Sequence, residues 1–90
     1  MGVRAKSIHL NGKVQQVGFR YYVYRLASEL GVKGLVKNMP NGSVKIEAEC
    51  DDHIMDVFVE HCKIGSPHSV INNCETNQIK VKDYTDFRIC

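Results

Sequence analysis

Hydrophobic and polar residues alternate along the first part of the chain, over residues 5–10. Ile8 and Leu10 fall on one face of this segment, and polar residues such as Ser7 fall on the other. This period of two is typical of a β-strand that buries one face. Asn11-Gly12 follows directly and predicts that the strand ends there.

Apolar residues then recur at helical spacing, which predicts a helix over residues 19–30 that ends at Gly31. A second strand is predicted over residues 34–39 and a third over residues 43–49. Between them, Pro40-Asn41-Gly42 carries the Asn-Gly pair that favours a hairpin turn. The buried stripe of the helix is predicted to comprise Phe19, Tyr22, Val23, Leu26, Ala27 and Leu30.

A second helix is predicted after Asp51-Asp52, which are suitable N-cap residues, and Gly65-Ser66-Pro67 ends it. Two more extended stretches follow, over residues 69–76 and 84–89, with a polar loop between them. The inner stripe of this second helix is predicted to comprise Ile54, Val57, Phe58 and His61 or Cys62.

The order of these elements predicts an α+β fold, a ferredoxin-like α/β sandwich. The order of its elements is βαββαβ plus a short C-terminal strand, with two helices on one face of an antiparallel sheet. Right-handed crossovers would place the first and third strands at the centre of that sheet. Ninety residues fit a single domain, predicted to cover residues 1–90.

Charge and hydropathy narrow the classes of function. The net charge is only +2, and no Lys/Arg-rich block appears, so we expect no nucleic-acid partner. No apolar run approaches the roughly 18 residues of a membrane span, so we expect no membrane partner. The N-terminus lacks the apolar core of a signal peptide, and a cytoplasmic protein is expected.

The four cysteines are widely spaced and form no Cys-x-x-Cys pair. We expect reduced thiols, some buried as small hydrophobic residues, rather than a disulfide framework. A zinc site would have to combine Cys50, His53, His61 and Cys62, whose spacing matches no common ligand pattern. Neither a metal nor another cofactor is therefore predicted.

The segment from Gly12 to Arg20 joins the first strand to the first helix through glycine and amide residues. Such a turn directs successive backbone N–H groups at one point, where the helix N-terminus adds partial positive charge. Arg20 adds a planar guanidinium that can bind two phosphoryl oxygens. The residues alone therefore predict a cradle for a phosphate or a carboxylate.

Val14-Gln15-Gln16-Val17-Gly18-Phe19-Arg20 resembles the acylphosphatase signature V-Q-G-V-x-F-R. The second motif of that family, G-x-V-x-N before a turn and G-x-V, is matched by Gly34 to Asn38 and then Gly42-Ser43-Val44. Asp86-Phe87-Arg88-Ile89 is similar to the family's C-terminal strand. The resemblance covers essentially the whole chain.

This resemblance implies a metal-independent hydrolysis of acyl phosphates to a carboxylate and inorganic phosphate. It implies that Asn38 positions the attacking water and that phosphate, the product, inhibits competitively. It also implies a monomer that acts on a small-molecule acyl phosphate. The implied phosphate-binding groups are the Arg20 guanidinium and the backbone N–H groups of Gln15, Gln16, Val17, Gly18, Phe19 and Arg20.

Two positions depart from the family pattern. Gln16 stands where glycine is usual, and a positive φ there would add strain of about 1–3 kcal/mol while keeping the N–H donor. We hypothesise that Gln16 lowers affinity or rate without abolishing activity. Leu35 stands where a large aromatic residue is common and is expected to alter packing only.

Two other functions stay as alternatives. A non-catalytic module could keep the same fold and use the cradle to bind phosphate, another anion or a protein partner. An RNA-binding ferredoxin-like domain is disfavoured, because no paired aromatic residues lie on adjacent predicted strands and the charge is modest.

Overall fold

The computed structural model describes residues 2–90. Residue 1, where the predicted domain begins, lies outside them. Two helices and five strands occur in the predicted order. They are β1 (Val3–Lys13), α1 (Phe19–Leu30), β2 (Lys33–Asn38), β3 (Val44–Asp51), α2 (Asp52–Ile64), β4 (Val70–Ile79) and β5 (Phe87–Ile89).

The strands form one sheet in the order β4-β1-β3-β2-β5. As predicted, β1 and β3 are interior strands, and the first four strands pair antiparallel. The closing strand differs from the expectation, because β5 pairs with β2 in parallel. The chain enters β5 beside Gly34, at the end where β2 also begins, so the two strands must run the same way.

The strand β1 is longer than predicted because Asn11-Gly12 does not end it. The register against β4 shifts between these two residues, so the strand continues through a bulge as far as Lys13. Gly12 has φ 134°, and a Cβ there would lie 2.1 Å from the carbonyl oxygen of Val70. Glycine at this position permits a close approach of two strands and does not form a turn.

Both helices pack on one face of the sheet. The predicted stripe of α1 is confirmed, with Phe19, Val23 and Ala27 fully buried and its other members partly buried. The stripe of α2 was wrong at Val57, which is 42% exposed. At about 100° per residue this position lies about 160° around the helix from Met55 and about 140° from Cys62, both of which are buried. The residues of α2 that are buried are Met55, Phe58, Val59 and Cys62.

The opposite face of the sheet is covered in part by residues 80–86, which we call the strap. Two charged residues of β3 lie on this face, yet Glu47 and Glu49 are only 8% and 5% exposed. The strap contacts both carboxylates. The final strand is therefore shorter than predicted, since Tyr84 belongs to the strap and β5 begins at Phe87.

No helix within residues 2–90 is long and apolar enough to cross a membrane. In the same part of the chain, no three His, Cys, Asp or Glu residues are grouped so that they could hold a metal ion.

Candidate active site

The loop between β1 and α1 is anchored at both ends in the core. Val14 and Phe19 are each 1% exposed, and the four residues between them form no regular structure. Gln16 has φ 61° and Gly18 has φ 76°, so two residues of this short loop adopt left-handed backbone conformations. The condition for strain at Gln16 is therefore met. These conformations turn the chain sharply into the start of α1.

The loop presents backbone donors with no backbone acceptor. Within residues 2–90, no N–H of residues 15–18 donates a hydrogen bond to another backbone group. The first N–H groups of α1, which begins at Phe19, also lack intrahelical acceptors. Consecutive free donors at a helix N-terminus are the arrangement that suits an anion.

The side chain of Gln15 ties this loop to the β2–β3 hairpin. Its Nε2 atom donates to the carbonyl oxygen of Met39 at 2.8 Å and to that of Ser43 at 2.9 Å. These two residues also close the hairpin, because the Met39 N–H donates to the Ser43 carbonyl at 2.8 Å. One side chain therefore holds the loop against the residue that follows Asn38. The sequence motif marked the backbone of Gln15 and not this role of its amide.

Asn38 is the last residue of β2 and pairs with Val44 across the hairpin. Its Oδ1 atom is buried and has no hydrogen-bond partner among the described residues. An unpartnered buried acceptor costs about 1–3 kcal/mol and requires an explanation. Its place beside the anchored loop makes a functional acceptor the natural explanation.

Arg20 lies in the first turn of α1 and is directed towards β5. Its Nη1 atom donates to the backbone oxygen of Cys90 at 2.7 Å. The Cys90 N–H in turn donates to the Val36 carbonyl at 2.8 Å, which extends the parallel pairing of Ile89 with Val36. The guanidinium is therefore held beside the end of β2, where Asn38 lies.

These contacts bring the predicted site residues to one end of the sheet. The loop reaches the end of β2 through Gln15, and Arg20 reaches it through β5. A separate groove of about 500 Å³ runs between α1 and α2 and meets the loop only at Val17 and Gly18. Arg20 faces β5 and does not line this groove.

The cysteines are all free thiols in the structure. Burial, with the charges of Asp51 and Asp52, raises the pKa of Cys50 to about 11. Burial likewise raises the pKa of Cys62 and of Cys74. These thiols are protonated near neutral pH and poor nucleophiles.

Comparisons with known proteins identify the family of this chain. The acylphosphatase family model matches residues 6–89. An acylphosphatase from Archaeoglobus fulgidus is 39% identical over 85 residues, which cover 94% of this chain and 96% of the relative. One from Thermotoga maritima is 41% identical over 87 residues, covering 97% of both chains.

Among solved structures, the crystal structure of acylphosphatase from Bacillus subtilis superposes with a TM-score of 0.94 at 34% identity. It covers 97% of this chain and 98% of that one. Both the family match and the near full-length relatives lead to the same conclusion: the chain belongs to the acylphosphatase family.

Proposed function

We propose that this chain hydrolyses acyl phosphates with Arg20 and the N–H groups of residues 15–20 binding the phosphoryl group and Asn38 positioning water. Hydrolysis of acyl phosphates is the activity of the family to which it belongs. The observation that carries the assignment of residues is the parallel β2–β5 pair. Because this pairing sets Cys90 beside the end of β2, Arg20, which binds Cys90, lies at the same end of the sheet as Asn38.

The substrate determines what the protein must supply. A mixed carboxylic–phosphoric anhydride already has a good leaving group, so little general acid catalysis is required. The chief tasks are to stabilise charge on the equatorial phosphoryl oxygens and to hold water in line. A fixed guanidinium and a set of free backbone donors perform the first task. The second needs an oriented acceptor near the phosphorus.

The buried Oδ1 of Asn38 supports its role as that acceptor. A water molecule that donates a hydrogen bond to it would satisfy the acceptor and be oriented at the same time. A carboxamide is not a base at neutral pH, so Asn38 orients the water without taking its proton. Attack of this water on phosphorus breaks the bond to the acyl oxygen. The carboxylate leaves, and the protons of the water remain with the phosphate.

The deciding experiment measures phosphate release from benzoyl phosphate. Asn38→Ala should lower kcat by about 100-fold, in the range found for loss of an oriented polar group, while phosphate affinity stays near that of the parent. Full activity in Asn38→Ala would contradict its role in positioning water. Asn77→Ala, at an exposed asparagine of β4, is the matched control and should behave as the parent.

Arg20→Ala tests phosphoryl binding in the same assay. It should raise the inhibition constant of phosphate and remove most of kcat/KM. Arg25→Ala, which removes an exposed arginine from the same helix, should change neither value. If the chain bound phosphate with no turnover of any acyl phosphate, a non-catalytic binding module would replace this proposal.

Further parts of the proposal concern product, assembly and location. Phosphate should inhibit competitively, because product and substrate would share the cradle. We propose that residues 1–90 act as one domain and as a monomer in the cytoplasm. Light scattering measures the molar mass in solution, and a mass twice that of one chain would contradict the monomer. Cell fractionation with a tagged chain tests the location.

A further inference from the structure

Glu49 is a buried carboxylate of β3 whose two oxygens both bind the strap. Oε1 accepts the backbone N–H of Tyr84 at 2.9 Å, and Oε2 accepts the backbone N–H of Lys82 in a short contact. Backbone N–H groups cannot move independently of the chain. Glu49 therefore restrains the backbone of the strap where it crosses the sheet.

Glu47, two residues earlier on the same face, binds the side chains of the same two strap residues. Its Oε1 atom accepts from the Lys82 ammonium at 2.8 Å and from the Tyr84 hydroxyl at 2.6 Å. Its Oε2 atom lies 3.4 Å from Nζ of Lys45. The strap is therefore attached at two adjacent points, through its backbone by one carboxylate and through its side chains by the other.

A continuous series of contacts runs from the strap to Arg20. The carbonyl of Asp86, the last strap residue, accepts the Gly34 N–H at 2.8 Å, which sets the entry of β5 beside β2. Three residues of β5 follow, and the oxygen of Cys90 then binds Nη1 of Arg20. Because β5 is so short, its position depends on the contacts that flank it.

We propose that Glu49 is a positioning residue for phosphoryl binding, acting through the strap and β5 on the orientation of Arg20. This inference rests on the proposed function, since it assumes that Arg20 binds the phosphoryl group. Glu49 itself lies on β3 at the outer face of the sheet and contacts the strap. Its removal should therefore weaken anion binding and leave the orientation of water by Asn38 intact.

Glu49→Gln is the direct test, because an amide cannot accept two backbone N–H groups with one oxygen on each. The KM for benzoyl phosphate and the inhibition constant of phosphate should rise together by about fivefold, as expected for one lost hydrogen bond. The value of kcat should change by less than about twofold. Glu75→Gln, which neutralises an exposed carboxylate of β4, should match the parent in all three constants.

A double-mutant cycle separates positioning from a general loss of stability. If Glu49 acts through Arg20, Glu49→Gln should add little to the inhibition constant in an Arg20→Lys background. Full additivity of the two changes would overturn the proposal. If Glu49→Gln fails to fold, Glu49→Asp keeps the charge but shortens the side chain by one methylene, so that its contacts with the two backbone donors lengthen. A parent-like inhibition constant in Glu49→Asp would overturn the proposal as well.

The same assays distinguish a chain without acyl phosphate hydrolysis from an active chain in which Glu49 does not position Arg20. Failure of the proposed function appears as an unmodified chain that releases no phosphate from acyl phosphates. Failure of the positioning role appears as an active chain, sensitive to Arg20→Ala, in which Glu49→Gln has the parent's KM and inhibition constant.

Discussion

Gln16→Gly tests whether the loop of the candidate site is strained. Gln16 has φ 61°, a conformation that costs an L-residue about 1–2 kcal/mol. Glycine avoids this cost but loses about 0.5–1 kcal/mol of additional backbone entropy on folding. The difference predicts that Gln16→Gly raises the free energy of unfolding by about 0.5–1 kcal/mol. For a chain of this size the melting temperature should rise by roughly 2–8 °C.

The same substitution tests the effect of Gln16 on function. Both residues keep the backbone N–H, so the number of donors in the loop is unchanged. If the glutamine distorts the direction of these donors, Gln16→Gly should raise kcat/KM and lower the inhibition constant of phosphate. A gain of about twofold to tenfold corresponds to recovering up to roughly 1.4 kcal/mol of transition-state stabilisation. Urea unfolding and phosphate release from benzoyl phosphate measure the two effects separately.

Asp83→Gly provides the control for relief of strain away from the loop. Among residues 2–90, Asp83 is the other non-glycine residue with a positive φ, at 59°, and it lies in the strap. Aspartate tolerates this conformation better than glutamine, so the stabilisation should be smaller and the kinetic constants unchanged. If Gln16→Gly left stability, phosphate affinity and turnover all unchanged, the reasoning from strain would be refuted.

Three other changes address contacts that build the site and its support. Gln15→Leu leaves the carbonyls of Met39 and Ser43 without their side-chain donor. The free energy of unfolding, measured in urea, should therefore fall by about 1–2 kcal/mol, and phosphate should inhibit more weakly. Gly34→Ala would place a Cβ 1.8 Å from the Glu47 carbonyl oxygen at φ 141°, and thermal unfolding should show a loss of about 3 kcal/mol or more. Burial opposes ionisation of Glu47, yet its hydrogen-bonded partners lower its pKa from 4.5 to about 2. The ionised carboxylate therefore contributes its full stabilisation above its unfolded pKa. As the pH falls from about 5 to 2, the free energy of unfolding should decrease by about 2–3 kcal/mol. Glu47→Gln should make this decrease smaller.

The elements that the sequence predicted well are those determined by local pattern. The period of α1 and the alternation near Ile8 identify a buried face without reference to the rest of the chain. The strap could not be predicted in this way. Its residues are mostly polar, as in an ordinary surface loop, and their partners on β3 lie 33–37 residues earlier in the chain. The parallel β5 follows from the strap, so it was missed for the same reason.

In the candidate site, too, features that depend on local sequence could be predicted and features that depend on distant contacts could not. Its motif residues and their approximate placement in turns and helix starts could be predicted, because turn chemistry is local. The contacts that hold them could not. Gln15 binds carbonyls 24 and 28 residues away, and Arg20 binds an oxygen 70 residues away. Nothing in a short window of sequence distinguishes such an amide or guanidinium from one that faces solvent.

These distant contacts explain how a loop with strained backbone and free donors can be stable. Val14 and Phe19 anchor its ends, the amide of Gln15 fixes its hairpin side, and Ser66 approaches the Val17 carbonyl at 3.4 Å. The energy that keeps the donors aligned therefore comes from the surrounding fold and is already present before an anion binds. Donors held in this way need little reorganisation when negative charge develops on a phosphoryl group. The same reasoning applies to Arg20, because its contact with Cys90, directly after β5, orients the guanidinium in advance and leaves its other N–H groups for the proposed contact with substrate.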